Sequence, residues 1–109
     1  MRPTDMTGAA DVKTYHGDRT IDGIVVTVDG APLDERRDLK TISEDGFEWS
    51  FEGPASAQLA LAILADHLGD DQRALALHDA FMRAVVANFA NEWMMTSDDV
   101  AAAVEALSR

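Results

Sequence analysis

The chain has 109 residues, which is enough for one domain with a modest core. It contains no cysteine, and this excludes disulfides and thiolate metal sites. The formal net charge is −11, from 20 acidic and 9 basic side chains, which argues against direct binding to nucleic acid or to an anionic membrane, since such binders need a cationic surface.

The first stretch, residues 1–11, is polar and rich in small residues, and it has no periodicity. It predicts a disordered N-terminal tail that precedes a single α+β domain over residues 12–109. The stretch also lacks the apolar run of a secretory signal, so the expected compartment is the cytoplasm.

The next part of the chain carries strand signals. A short strand is predicted over residues 12–16, followed by a turn over residues 17–20. The β-branched run at residues 23–28 predicts the strongest strand, and the Asp-Gly pair at 29–30 predicts a hairpin turn after it. A weaker strand is predicted over residues 37–41.

Residues 47–52 alternate strictly between aromatic and polar side chains. This pattern predicts a half-buried strand with Phe47, Trp49 and Phe51 on its inner face and an acidic outer face. An aromatic stripe is also used to stack nucleic-acid bases. The flanking glutamates and the lack of basic residues in the segment favour burial in the core instead.

The most apolar segment, residues 53–69, predicts the central helix. Pro54 suits its first turn, Gly69 suits a left-handed C-cap, and Gln58 is the one polar residue between 57 and 65. The segment is shorter than the roughly 20 apolar residues of a membrane span. The aromatic stripe is expected to pack on three of its leucines, namely Leu61, Leu64 and Leu68.

A second helix is predicted from about Asp71, with Asp70 or Asp71 as its cap, and the short connection predicts an antiparallel helical hairpin. Residues 91–95 interrupt this helix and are expected to return to the sheet edge. Thr96 or Ser97 then caps a third helix.

The predicted fold is therefore α+β, with a small antiparallel β-sheet packed against a helical hairpin plus a C-terminal helix. Helices this apolar also predict an uncovered patch and a homodimer.

The histidines raise the question of a metal site. His67 and His78 approach each other in a helical hairpin, and three carboxylates, Asp66, Asp70 and Asp71, lie close in sequence. A histidine near a helix C-terminus is also favourable without a metal, and no ligand motif such as His-Glu-x-x-His occurs. We therefore expect no metal and no cofactor. No serine lies in a nucleophile motif, so no catalytic residue is predicted.

Acidic side chains are concentrated in the sheet half of the chain. DNA carries one negative charge per about 1.7 Å of its axis, and ordered carboxylates can imitate that density. We hypothesise that a basic, nucleic-acid-binding protein docks here. The competing interpretation is a solvated face that serves solubility alone. The predicted partner-binding residues are Asp34, Glu35, Asp38, Glu44 and Asp45.

A family of small uncharacterised proteins resembles this chain in four stretches, residues 15–17, 23–30, 46–49 and 57–70. Its members occur in bacteria, haloarchaea, viruses and mobile elements. The likeness covers roughly residues 14–108, and its most specific part is the Gly-Phe-Glu-Trp box at 46–49 followed by Ala-Gln-Leu-Ala-Leu at 57–61. The resemblance implies a common fold and a habitat in mobile genomes, and it implies no activity and no site residue.

Three functions are compatible with these observations. The leading hypothesis is a non-enzymatic protein-binding module, carried by a phage or mobile element, that inhibits a host CRISPR or nuclease complex by DNA mimicry. The second is an accessory domain that self-associates through its helices. The third is a metal-dependent enzyme.

Overall fold

A computed structural model describes residues 12–109 of the chain, so the predicted tail at 1–11 lies outside the described residues. The fold is α+β, as predicted, with a four-stranded antiparallel sheet and three helices. In chain order the elements are β1 (Thr14–Thr20), β2 (Gly23–Val28), β3 (Ala31–Pro32), α1 (Pro54–Leu68), α2 (Asp71–Ala84), a 3-10 turn (Val86–Asn88), β4 (Trp93–Thr96) and α3 (Ser97–Leu107).

The strand order in the sheet is β3-β2-β1-β4. Two predictions are confirmed here, because residues 23–28 form β2 and the segment after α2 returns to the sheet edge as β4. The turn after β2 is also as predicted. Asp29 and Gly30 have φ angles of 51° and 85°, the two positive values that a tight hairpin turn of the primed type requires.

The predicted turn at residues 17–20 is wrong, because β1 continues through Gly17 as far as Thr20. The lack of a side chain at Gly17 instead leaves space for a residue of the neighbouring strand. Gly17 pairs with Trp93 of β4, and a Cβ atom added at Gly17 would overlap the indole Nε1 of that residue. The indole is buried, stacks on Phe89 at 4.3 Å between ring centroids, and meets Trp49 edge-on at 5.9 Å.

We expect Gly17→Ala to lower the free energy of unfolding by about 1–3 kcal/mol, the usual cost of overfilling a core. Urea denaturation measures this loss. In a Trp93→Ala background the same change should cost much less, because the indole that it strikes is gone. An equal cost in both backgrounds would contradict close contact with Trp93 as the cause.

Residues 47–52 were predicted to form a strand, and this is wrong. Their backbone N–H groups do not pair with a neighbouring strand. Glu48 N–H donates to the Ala55 carbonyl at 3.3 Å, and Ser50 N–H donates to the Val86 carbonyl at 3.1 Å. Ser50 also has a φ of 79°, which breaks the alternation of side chains. Two members of the aromatic stripe are buried, at 9% and 0% exposure, while the third is 50% exposed; in order these are Phe47, Trp49 and Phe51.

All three helices begin at the predicted signals, and α1 also ends at one, whereas α2 ends at Ala84, before the interruption predicted at residues 91–95. Pro54 opens α1, and Gly69 closes it with a φ of 62°, its N–H donating to Ala65. Asp70 caps α2 by accepting from the Arg73 N–H at 3.1 Å. Every residue from 56 to 65 is buried, so α1 is the central helix of the core.

A capping box starts α3. The Thr96 hydroxyl accepts from the Asp99 N–H at 3.2 Å, and the Asp99 carboxylate accepts from the Thr96 N–H at 2.9 Å. Val100 and Val104 then bury one side of the helix in the core cluster that also holds α1. No helix in residues 12–109 is long and apolar enough to cross a membrane.

The exposed large apolar side chains of residues 12–109 lie on strands, turns and loops, and none lies on a helix. They are Val12, Ile21, Ile24, Val25, Phe51 and Met94. The predicted homodimer depended on an uncovered helix face, and the described helices do not provide one. Dimerisation itself stays a prediction.

Candidate partner-binding surface

The predicted partner-binding residues all fall on one irregular segment, residues 34–45, which we call the acidic loop. It leaves the sheet after Leu33, whose side chain is buried and whose N–H donates to the Val26 carbonyl at 3.1 Å. It then crosses the start of α1 and ends at Gly46, which has a φ of 91°. The residue that precedes the loop is therefore fixed to the core.

The loop begins with a tight turn at Arg36. No strand forms over the following residues 37–41, where one was predicted. Asp34 Oδ1 accepts from the Arg36 N–H at 2.7 Å, and Arg36 has a φ of 54°. The N–H groups of Leu39 and Lys40 both reach the Arg36 carbonyl, at 3.0 and 3.4 Å. The strand prediction is wrong because these local bonds satisfy the backbone without a neighbouring strand.

A single buried side chain holds the middle of the loop. Gln58 on α1 is fully buried, and its amide makes four hydrogen bonds to the loop backbone. Its Oε1 accepts from Ile42 N–H at 2.8 Å and Ser43 N–H at 3.0 Å. Its Nε2 donates to the carbonyls of Glu35 at 2.7 Å and Lys40 at 3.1 Å. Both amide atoms thus bond twice, and the loop backbone is tied to the central helix.

Two of the predicted carboxylates are already paired within the molecule. Asp38 receives two bonds from the Arg36 guanidinium, at 3.1 and 3.2 Å, and these hold the pKa of its carboxyl below the usual range. The same guanidinium reaches Asp71 at the start of α2, at 3.3 Å. Glu35 Oε1 lies 2.9 Å from Arg37 Nε. Arginines of the loop therefore neutralise part of its charge.

The other three carboxylates, Asp34, Glu44 and Asp45, are exposed. None of them forms a salt bridge with another residue of the described range. Asp34 lines an open depression together with the paired residues Glu35 and Asp38, while Glu44 and Asp45 lie outside it, on the turn after Ser43. The five predicted residues therefore share one loop but form two groups.

A narrow cleft of about 170 Å³ lies beneath the loop, between the sheet and α1. Asp66 lines it and accepts from the Tyr15 hydroxyl at 2.7 Å and from Lys13 Nζ at 3.2 Å. Burial, and then the Asp66 carboxylate, raise the pKa of Tyr15, so the phenol remains a donor. Ligand pockets usually measure about 300–1,000 Å³, so we assign this cleft a structural role in joining β1 to α1.

Two of the three histidines have a partner of their own. His16 Nε2 lies 2.7 Å from Glu92, and His78 Nδ1 lies 2.6 Å from the Leu75 carbonyl. Burial, followed by the charge of Lys13, lowers the pKa of His67. Within residues 12–109 no group of three or more histidine or carboxylate side chains is arranged to hold a metal ion.

Two residues with several side-chain hydrogen bonds were missed from the sequence: one holds the acidic loop, and the other lies outside it. Gln58 carried a signal, since it is the one polar residue in an apolar helix. Arg19 carried none, because its role depends on distant segments. Its guanidinium lies 4.6 Å from the Trp49 ring centroid, and donates to Glu48, the Trp49 carbonyl and Asn91 at 2.7–2.9 Å.

Comparison with curated proteins and with solved structures finds no match. A family model does match, over residues 15–106, which include the four strands except Thr14 and the three helices except Leu107. This agrees with the resemblance to an uncharacterised family. The chain belongs to the family of unknown function DUF6166.

Proposed function

We propose that the chain is a non-enzymatic protein-binding module that docks on a basic, nucleic-acid-binding partner through the acidic loop. The biological setting that suits such a module is inhibition of a host defence complex by DNA mimicry. The observation that carries the proposal is the attachment of the loop by Gln58. Four bonds from a buried side chain present the carboxylates on an ordered backbone.

An ordered loop matters because ordering a flexible one on binding costs free energy. Here that cost is already met in the unbound protein. The net charge of −11 adds long-range attraction for a basic partner. Both effects favour association without any change in the fold.

The unpaired carboxylates define the proposed contact. Asp34, Glu44 and Asp45 are exposed and have no salt bridge in the described part of the chain, so a partner's arginines meet them without displacing an internal cation. The loop also carries Arg36, Arg37 and Lys40, which lowers its charge density below that of duplex DNA. We therefore expect recognition of a few carboxylates instead of a long phosphate-like array.

We expect Glu44→Lys with Asp45→Lys to abolish capture of the partner from a nuclease-treated lysate of the cells that encode the chain. Opposite charges at a docking site become like charges, and this costs several kcal/mol. Thermal stability should change little, since exposed substitutions rarely shift it by more than about 0.5 kcal/mol. Mass spectrometry of the captured proteins measures the loss, and duplex DNA should compete for the same partner.

A matched control is Asp18→Lys with Asp22→Lys on the β1–β2 hairpin. It changes the net charge by the same amount and leaves the acidic loop intact. Capture should survive in this variant. Equal capture by the loop variant and the wild type, or a failure of DNA to compete, would contradict the proposal and leave the charge with a role in solubility only.

A further inference from the structure

The two edges of the sheet differ in how they are protected. At one edge β3 has only two residues and contains Pro32, two features that natural proteins use to block edge pairing. At the other edge β4 has four residues, Trp93–Thr96, with no proline and no charged side chain. Within residues 12–109, the edge at β4 is therefore open to a further strand.

The register shows which backbone groups face outwards at this edge. Thr14 accepts from the Asp29 N–H at 2.9 Å, so its polar groups point to β2, and those of His16 do the same. His16 pairs with Met94 on the opposite side. Since polar groups alternate along a strand, the N–H and C=O of Met94 point away from β1, and neither has a hydrogen-bond partner in the described residues.

The side chains around this edge combine an apolar centre with acidic flanks. Met94 is 65% exposed on the face of the sheet turned away from the helices. Two positions before it, the Glu92 side chain is 63% exposed and lies against His16. Beyond the other end of β4, Asp98 is exposed in the first turn of α3. A strand that pairs here meets an apolar side chain between two negative charges.

We propose that an extended basic segment of a partner protein adds to β4 as a fifth, antiparallel strand, a common mode of peptide recognition. Its central residue exchanges two backbone hydrogen bonds with Met94 and places an apolar side chain beside it. Lysine or arginine two positions away lies opposite Glu92, because side chains on one face recur every second residue.

A second copy of the chain fits this edge poorly. Symmetric pairing about Met94 would place Glu92 of one copy opposite Thr96 of the other, close to Asp98, and each copy carries a net charge of −11. Like charges in such positions oppose pairing. A basic strand is therefore the favoured occupant, and its binding does not depend on the acidic loop.

The test uses a capped five-residue peptide with valine at its centre, threonine on each side and lysine at both ends. Titration to millimolar concentration should shift the amide resonances of residues 92–96. Met94→Pro should weaken binding about tenfold, because it removes the outward N–H. Met94→Ala, which keeps that donor, should weaken binding less. Proline is tolerated at this position, since the lost N–H takes no part in the ladder with β1.

A second peptide, methylated on the valine nitrogen, removes the other bond of the pair, from the valine N–H to the Met94 carbonyl. It tests the pairing on the unaltered protein if Met94→Pro fails to fold. Binding of the methylated peptide, or of the proline variant, at the unmodified affinity would overturn the proposal. So would a dimer of the wild type that Met94→Pro converts to a monomer, because the edge would then belong to a second copy. Glu44→Lys with Asp45→Lys should leave peptide affinity unchanged, which separates this site from the acidic loop.

Discussion

Replacement of Trp49 by alanine is expected to lower the free energy of unfolding by about 3–5 kcal/mol. The side chain is fully buried, and its ring meets Trp93 edge-on and lies under Arg19. Its indole N–H donates to the Asn91 carbonyl at 3.2 Å. Truncation opens a cavity where three segments of the chain meet, and native domains of this size have only about 5–15 kcal/mol to lose.

The matched control is Phe51→Ala. Phe51 lies two positions away in the same alternating stripe but is 50% exposed, so its loss should cost under about 1 kcal/mol. Chemical denaturation of both variants measures the difference. Equal losses at Trp49 and Phe51 would mean that both side chains lie in the core, as a regular strand requires, and would contradict the described path of residues 47–52.

Local signals were enough to predict where the three helices start, where α1 ends, and one turn. Gly69 ends α1 in a left-handed conformation, Asp70 caps α2 and Thr96 caps α3. Each of these residues acts on backbone groups within four positions of itself. Neighbouring sequence therefore contains all the atoms that decide the outcome, and the same holds for the turn at Asp29.

The predictions that failed concern residues whose structure depends on contacts with distant parts of the chain. Gly17 was assigned to a turn, yet its role is set by Trp93, which lies far along the chain. Residues 47–52 alternate like a strand, but their N–H groups bond to Ala55 and Val86 instead of a neighbouring strand. Alternation reports which side chains are buried, and it does not report what the backbone pairs with.

The candidate site was predictable in part. The cluster of acidic residues was visible in the sequence, and Asp34, Asp38, Glu44 and Asp45 are indeed exposed. Counting carboxylates, however, overstated their availability. Arg36 and Arg37 were visible between the acids, and the structure folds them onto Asp38 and Glu35. Local charge must be counted after such pairs are removed, because a paired carboxylate attracts a partner less.

Gln58→Leu is the second change with a large expected effect. Leucine keeps much of the side-chain volume in α1 but bonds to none of the loop groups that Gln58 satisfies. A buried polar group that loses its partner costs about 1–3 kcal/mol. We expect a loss of at least about 2 kcal/mol in unfolding free energy. The loss is not larger because water can bond to the freed backbone groups once the loop detaches from α1.

Hydrogen exchange locates that release. In the wild type the N–H groups of Ile42 and Ser43 both donate to Gln58 and should exchange slowly. In Gln58→Leu they should exchange much faster, while amides inside α2 keep their protection relative to global unfolding. Slow exchange at Ile42 and Ser43 in this variant would show that the loop is ordered without Gln58.

Gln58→Glu divides the attachment into its two halves. A carboxylate still accepts from Ile42 and Ser43 but no longer donates to the carbonyls of Glu35 and Lys40. Exchange should therefore stay slow at the two amides while the first part of the loop, up to Lys40, loosens.

If loop order is what favours docking, partner capture should fall strongly in Gln58→Leu and less in Gln58→Glu, although neither change alters an exposed carboxylate. Wild-type capture by both variants would mean that the loop binds equally well when disordered, and that its attachment to α1 serves stability alone.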